Sequence, residues 1–292
     1  MTLKPLERIF RNQQPHWVGD GFPVRSLFSH FTAGTAISPF LLLDYAGPHE
    51  FAPSQAPRGV EEHPHRGFET VTIVYQGELE HRDSAGNHGS IGTGDVQWMT
   101  AASGVAHEEF HSERFAREGG TLEMVQLWVN LPANAKMSPP RYQEILAAQI
   151  PTVMLDDGAG SVRVIAGKFR DATGPGQTFT PVYLWDMSLQ AGHVTDVELP
   201  EGYVAALVVQ HGALRLNGQE AVRSVDLALL GRTGTGVSIA TEEDARVLFL
   251  SGEPIDEPVA AKGPFVMNTQ AEIQQAVRDY QSGRLGRIGA PA

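Results

Sequence analysis

The sequence predicts an all-β protein of two similarly designed domains with a C-terminal helix. Three observations carry this. Short runs rich in β-branched and aromatic residues fill most of the 292 residues, and turn residues separate them, with 31 Gly and 19 Pro in all. A polar, Pro-rich stretch, "NLPANAKMSPPRYQ" (130–143), interrupts the runs near the middle and reads as an inter-domain bridge. The pattern then restarts as a weak repeat: "TIVYQGELEHRD" around Gly77 is echoed by "LVVQHGALRLNG" around Gly212, and "GDVQWM" around Asp95 by "VDLALL" around Asp226. The implied division is 1–135 and 136–292, with a helix over 269–282 in the second part.

In chain order, "ETVTIVYQGELEHRDS" (69–84) alternates into Gly77 and resumes after it, as a strand pair does. "GDVQWMTA" (94–101) and "TLEMVQLWVNL" (121–131) are further strands. Beyond the bridge, "SVRVIAGKF", "PVYLWDMSL", "YVAALVVQHGALRLNG", "VDLALLG" and "ARVLFLSG" supply five more. In "NTQAEIQQAVRDYQSG" (268–283), Thr269 and Glu272 form a capping box. Ile273, Ala276, Val277 and Tyr280 give helical spacing, and Gly283 ends the helix.

Composition excludes several roles. Net charge is −12, from 22 basic and 34 acidic residues, so neither nucleic acid nor an anionic membrane is expected as a direct partner. There is no Cys, hence no disulfide and no thiol chemistry. "MTLKPLERIFRNQQP" has no apolar core of a signal peptide, and no apolar run is long enough to span a bilayer. A soluble, cytoplasmic protein is expected, and a monomer.

Six of the 11 His (His63, His65, His81, His88, His107, His111) fall between positions 63 and 111. There "HEEFH" (107–111) spells H-E-x-x-H, the zinc-protease signature when it lies on a helix. A helix would pair His107 with His111 and bring Glu108 to the metal. A strand would instead put His107, Glu109 and His111 on one face and turn Glu108 away. The residues from 104 to 118 show no apolar stripe, and Ser103 and Gly104 precede them, so the strand is expected and the metallopeptidase reading is set aside.

His63-Pro64-His65 supports the strand. Two His at i, i+2 project from one side of an extended segment, and Pro64 disfavours helix at His63. If His107-x-Glu109 lies on a facing strand, His63, His65, His107 and Glu109 converge on one ion. Glu69, four residues after His65, is either a ligand in place of Glu109 or an acceptor that orients a ligand His. His111 is expected to be a bystander, and His81 and His88 to be solvated.

"HPHRGFETV", "GDVQWMTAASGVAHEE", "VQLWVNLP", "SPFLLLDYAGP" (38–48) and "GPFVMNTQAEIQQAVRDYQSGRLG" (263–286) closely resemble the pirin family of the cupin superfamily. The resemblance is dense from about 15 to 143, looser through the second half, and good again at the tail. It implies a bicupin: two antiparallel jelly-roll β-barrels with one metal in the N-terminal barrel. It also implies the ligands His63, His65, His107 and Glu109, which leaves Glu69 outside the ligand set. Aligning the repeat puts Glu198, Pro200, Ser238 and Ala240 at the ligand positions of the second barrel, so that barrel is expected to lack metal and to act as a lid or docking surface.

Three imidazoles and a carboxylate suit a borderline divalent ion. Fe(II) is expected, and Ni, Cu, Mn, Zn or Co can take its place. The resemblance implies a quercetinase-type dioxygenase that opens a flavonol with O2 and loss of CO, Glu109 taking the substrate hydroxyl proton. Phe68, Trp98, Met99 and Trp128 are the candidates for an aromatic pocket. The alternative it implies is a redox-sensing regulator that binds a transcription factor or another enzyme.

Overall fold

In the computed structural model, which describes residues 1–11 and 14–289, the chain divides into two compact all-β units. Each is a cupin-type barrel made of a seven-stranded and a four-stranded sheet. The first unit comprises Met1–Gln13, Leu27–Leu41 and Ala148–Pro254, and the second Gln14–Ser26, Leu42–Ala147 and Ile255–Ala292. The units are therefore discontinuous in sequence. A single cut at 135/136 does not follow them, because both ends of the chain cross over: strand Leu6–Phe10 pairs with Leu227–Leu230, and the C-terminal segment returns to the second unit.

In the first unit the seven-stranded sheet runs from Leu6–Phe10 through Leu227–Leu230, Val204–His211, Ala245–Gly252, Val182–Leu189 and Gly160–Ala166 to Thr152–Met154. Its smaller sheet pairs Val194–Glu198 with Gly236–Thr241. Strand alternation turns Val197, Val237 and Ile239 inward, where they pack with Trp185, Leu207 and Phe249 in an apolar interior.

In the second unit, Val96–Thr100, Phe68–Gln76 and Gly120–Asn130 are neighbours in the seven-stranded sheet. Gly59–His65, Val105–His111, Glu78–Asp83 and His88–Gly92 form the four-stranded one, in that order. The run over 69–84 is not a hairpin, since Phe68–Gln76 and Glu78–Asp83 belong to different sheets. Gly77 is the corner at which the chain changes sheets. Its φ is +93°, and a Cβ there would lie 2.9 Å from Leu122. Gly212 makes the same corner in the first unit, at φ +80°.

The stretch over 130–143 is no solvated linker. Lys136 is buried, and its Nζ donates to the carbonyls of Gly67 and Val266 and to Asn130 Oδ1, all within the second unit. Helix Gln270–Gln281 carries the predicted capping box: Thr269 N–H donates to Glu272 Oε2 at 2.8 Å, and Glu272 N–H to Thr269 Oγ1 at 3.2 Å. Ile273 and Ala276 pack on Ala260, Phe265, Met267 and Leu285, whereas Tyr280 is exposed. Asp279 on the buried side pairs with Arg66 at 2.9 Å, which docks the helix beside the His63-x-His65 strand. The ion pair and the apolar cluster together fasten the helix to the second unit although it lies at the far end of the sequence. Among the described residues no helix is long and apolar enough to cross a membrane.

Candidate metal centre

Residues 105–111 form a strand, Val105–His111, antiparallel to both Gly59–His65 and Glu78–Asp83. The alternation is as a strand requires: His107, Glu109 and His111 are buried, while Glu108 points outward with its carboxylate 4.0 Å from Arg82. His107 stands directly opposite His63. A bulge follows, so Glu109 stands opposite Val60.

The three imidazoles converge. Ring centroids are 4.3 Å apart for His63 and His107, 4.7 Å for His65 and His107, and 4.9 Å for His63 and His65. One nitrogen of each can be chosen so that all three lie within 4.8 Å of one another. Burial, reinforced by the neighbouring His, holds His65 and His107 well below the ordinary imidazole pKa. Both rings are therefore neutral and keep a lone pair. His63 Nδ1 lies 2.8 Å from the Glu61 carbonyl and donates to it, which leaves Nε2 as the ring's ligand atom. His65 Nδ1 and His107 Nε2 are buried without a hydrogen-bond partner among the described residues. Buried nitrogens left so are costly, and a shared cation would satisfy them.

Glu109 belongs to a second, overlapping group of potential ligands, with His107 and His81. Its carboxylate faces one transverse rung of the seven-stranded sheet, in which Gln97, Thr72 and Gln126 stand side by side on adjacent strands. Thr72 Oγ1 and Gln97 Nε2 donate to Oε1 at 3.3 and 3.2 Å, and Gln126 Nε2 donates to Oε2 at 2.8 Å. Three neutral donors fix the orientation of the carboxylate.

The other predicted residues sort differently. Glu69 is buried away from both groups and accepts from Thr100 Oγ1 at 2.6 Å; burial raises its pKa to about 7. His111 is buried, its Nε2 2.9 Å from the Gly21 carbonyl, with Phe22, Phe51 and Phe115 around its ring. It is a core residue, off both groups. His88 is exposed as expected, but His81 is 1% exposed and not solvated. The reason is alternation: Leu79, His81 and Asp83 all face inward, and His81 stands opposite Glu109. Leu79-x-His81 was the signal for this in the sequence.

A small cavity of about 30 Å³ lies against His63 and Glu109. Val18, Phe22, Val24, Val60 and Met124 form its apolar wall, with Asp44 and Gln126 as polar members. Burial raises the pKa of Asp44, against the Ser26 hydroxyl it accepts from. None of Phe68, Trp98, Met99 and Trp128 lines this cavity. Phe68 and Trp128 pack on His65 at 5.1 and 5.3 Å, and Met99 belongs to a cluster with Ala101 and Val105.

The chain matches the Pirin family over residues 21–129 and the Pirin C-terminal cupin domain over residues 184–286. It is 57% identical over 285 residues to a Pseudomonas aeruginosa protein provisionally named a quercetin 2,3-dioxygenase, covering 98% of this chain and 99% of that one. A crystal structure of quercetin 2,3-dioxygenase from Acinetobacter baumannii superposes with a TM-score of 0.95 at 50% identity, covering 97% of this chain and 99% of that one. A bacterial pirin from Escherichia coli, solved in complex with nickel(II), shares the fold with a TM-score of 0.63 at 19% identity, covering 85% and 99%.

Proposed function

Because this chain belongs to the pirin family, we propose that it is a metal-dependent dioxygenase that opens a flavonol such as quercetin with O2 and loss of CO. The observation that carries the reading is the convergence of three imidazoles, two of them held neutral by burial, beside a buried carboxylate. His63, His65, His107 and Glu109 would hold the ion. Fe(II) is the ion proposed, with Ni, Cu, Mn, Zn or Co as substitutes, since such a donor set does not select one by affinity. Bound there, the ion supplies a Lewis acid for the substrate oxygen and an electron path to O2.

The remaining work falls to the chain's own groups. Glu109 is the base for the substrate hydroxyl proton. Oε1 already accepts from two donors and Oε2 from one, so Oε2 has the capacity to take it. Gln97, Thr72 and Gln126 keep the carboxylate aimed while it does so. The apolar wall beside His63 and Glu109 offers a flat ring system a surface to pack on. As it stands the cavity has room for a molecule about the size of water or O2. A flavonol therefore displaces lining side chains on entry, and Met124 is the flexible one among them.

The test is quercetin turnover by protein stripped and reloaded with each metal in turn, with CO and O2 both measured. Turnover that requires metal and releases one CO per flavonol is expected. No turnover with any fully loaded metal refutes the flavonol reading.

A further inference from the structure

A chain of hydrogen bonds determines which nitrogen of His107 carries its proton. Tyr142 stays a hydroxyl donor, because burial and the carboxylates of Glu144, Glu109 and Asp83 push its pKa upward. Its Oη lies 3.2 Å from Gln97 Oε1. Gln97 thus turns its amide nitrogen the other way, 3.2 Å from Glu109 Oε1 and 3.2 Å from His81 Nδ1. An amide nitrogen only donates. His81 Nδ1 is therefore an acceptor, and its proton sits on Nε2, which faces Asp83 Oδ2 at 3.3 Å. Asp83 is fixed in turn by the backbone N–H groups of Ala85 and Asn87 and by the Asn87 amide. Tyr142 stacks on the His81 ring at 5.0 Å and 19°.

His107 Nδ1 lies 3.4 Å from that same accepting nitrogen. This lone pair, shared with the Gln97 amide, is the acceptor within reach of the ring, whereas a proton on Nε2 would face none, so Nδ1 carries the proton. The lone pair is left on Nε2, the nitrogen that is buried without a hydrogen-bond partner among the described residues. We propose that His81, fixed by Asp83 and Gln97, is a positioning residue that locks His107 in its Nδ1–H tautomer and aims Nε2 at the metal. The arrangement extends the familiar carboxylate–histidine–metal chain by one imidazole. This inference rests on the metal reading above. Its rival is that His81, His107 and Glu109 hold an ion of their own.

The experiment titrates metal-free full-length protein with Co(II), following the visible spectrum and competing with a chelator. The variants are His81→Phe, His81→Asn and Asp83→Asn. Wild type is expected to bind one Co(II). His81→Phe and Asp83→Asn are expected to bind one ion about 10- to 100-fold more weakly, with shifted visible bands. His81→Asn, which restores an acceptor near Nδ1, should recover part of the affinity lost in His81→Phe. Asp83→Asn leaves the ring in place and decides the matter if His81→Phe does not fold. One ion bound with unaltered affinity and spectrum in both variants overturns the positioning role alone. Two ions in wild type and one in His81→Phe makes His81 a ligand and overturns it too. Wild type that takes up no ion overturns both this inference and the metal reading.

Discussion

Replacing Glu69 by Gln should abolish a pH dependence of stability without touching the metal. Glu69 is 1% exposed, and burial raises its pKa from 4.5 to about 7 against the opposing Thr100 and Trp98 hydrogen bonds and the charge of Arg141. Below pH 4.5 the carboxyl is protonated in both the folded and the unfolded chain. Between 4.5 and 7 the unfolded chain ionises while the folded one keeps its proton, so stability falls as pH rises. The contribution is fully present below the lower value and lost above the upper one. At about 1.4 kcal/mol per pH unit, this span is worth about 3 kcal/mol. The Glu69→Gln side chain keeps an acceptor for Thr100 Oγ1, which now lies at 2.6 Å, but has no proton to lose. Urea unfolding of metal-free wild type and Glu69→Gln at pH 4, 6 and 8 measures the difference. The variant should gain about 3 kcal/mol on wild type between the first and last of these. A difference that stays constant with pH refutes the buried-carboxyl account, and loss of metal from Glu69→Gln makes Glu69 a ligand.

Glu109→Gln should lose or weaken both metal and flavonol turnover, while Glu108→Gln, which faces outward toward Arg82, keeps both; elemental analysis and CO release check this. Lys136→Met leaves the acceptors of Gly67, Asn130 and Val266 without their donor, and should cost about 3 kcal/mol or more in urea unfolding. Asp279→Ala strands the buried Arg66 guanidinium and should cost about 3–5 kcal/mol, read as a lowered Tm.

Much of the candidate site's geometry is legible because strand alternation is a local rule. His63-x-His65 and His107-x-Glu109 announce a shared face whatever the rest of the chain does, and the structure puts His63 opposite His107. His81 was misread because "ELEHRD" is rich in charge, although Leu79 two residues earlier shows which face is inward. Gln97, Thr72 and Gln126 come from three separate strands, and only the register of the sheet makes them one rung. The corners at Gly77 and Gly212 were visible as a repeat, but whether a glycine closes a hairpin or turns the chain into another sheet depends on pairings far along the sequence. The same holds for the unit boundaries. The ion pair that ties Asp279 to Arg66 joins residues too far apart for periodicity to connect. Asp44, a lone acid in the apolar run "FLLLDYAG", reaches the cavity wall and carried no pattern that marked it.

The most direct measurement is an anomalous-difference map from crystals of the Fe(II)-loaded protein, collected at the iron edge. The account predicts one peak per chain within about 2.0–2.3 Å of nitrogens of His63, His65 and His107, with Glu109 completing the set. A peak bound by His107 and His111, or one bound through Glu69, would contradict it.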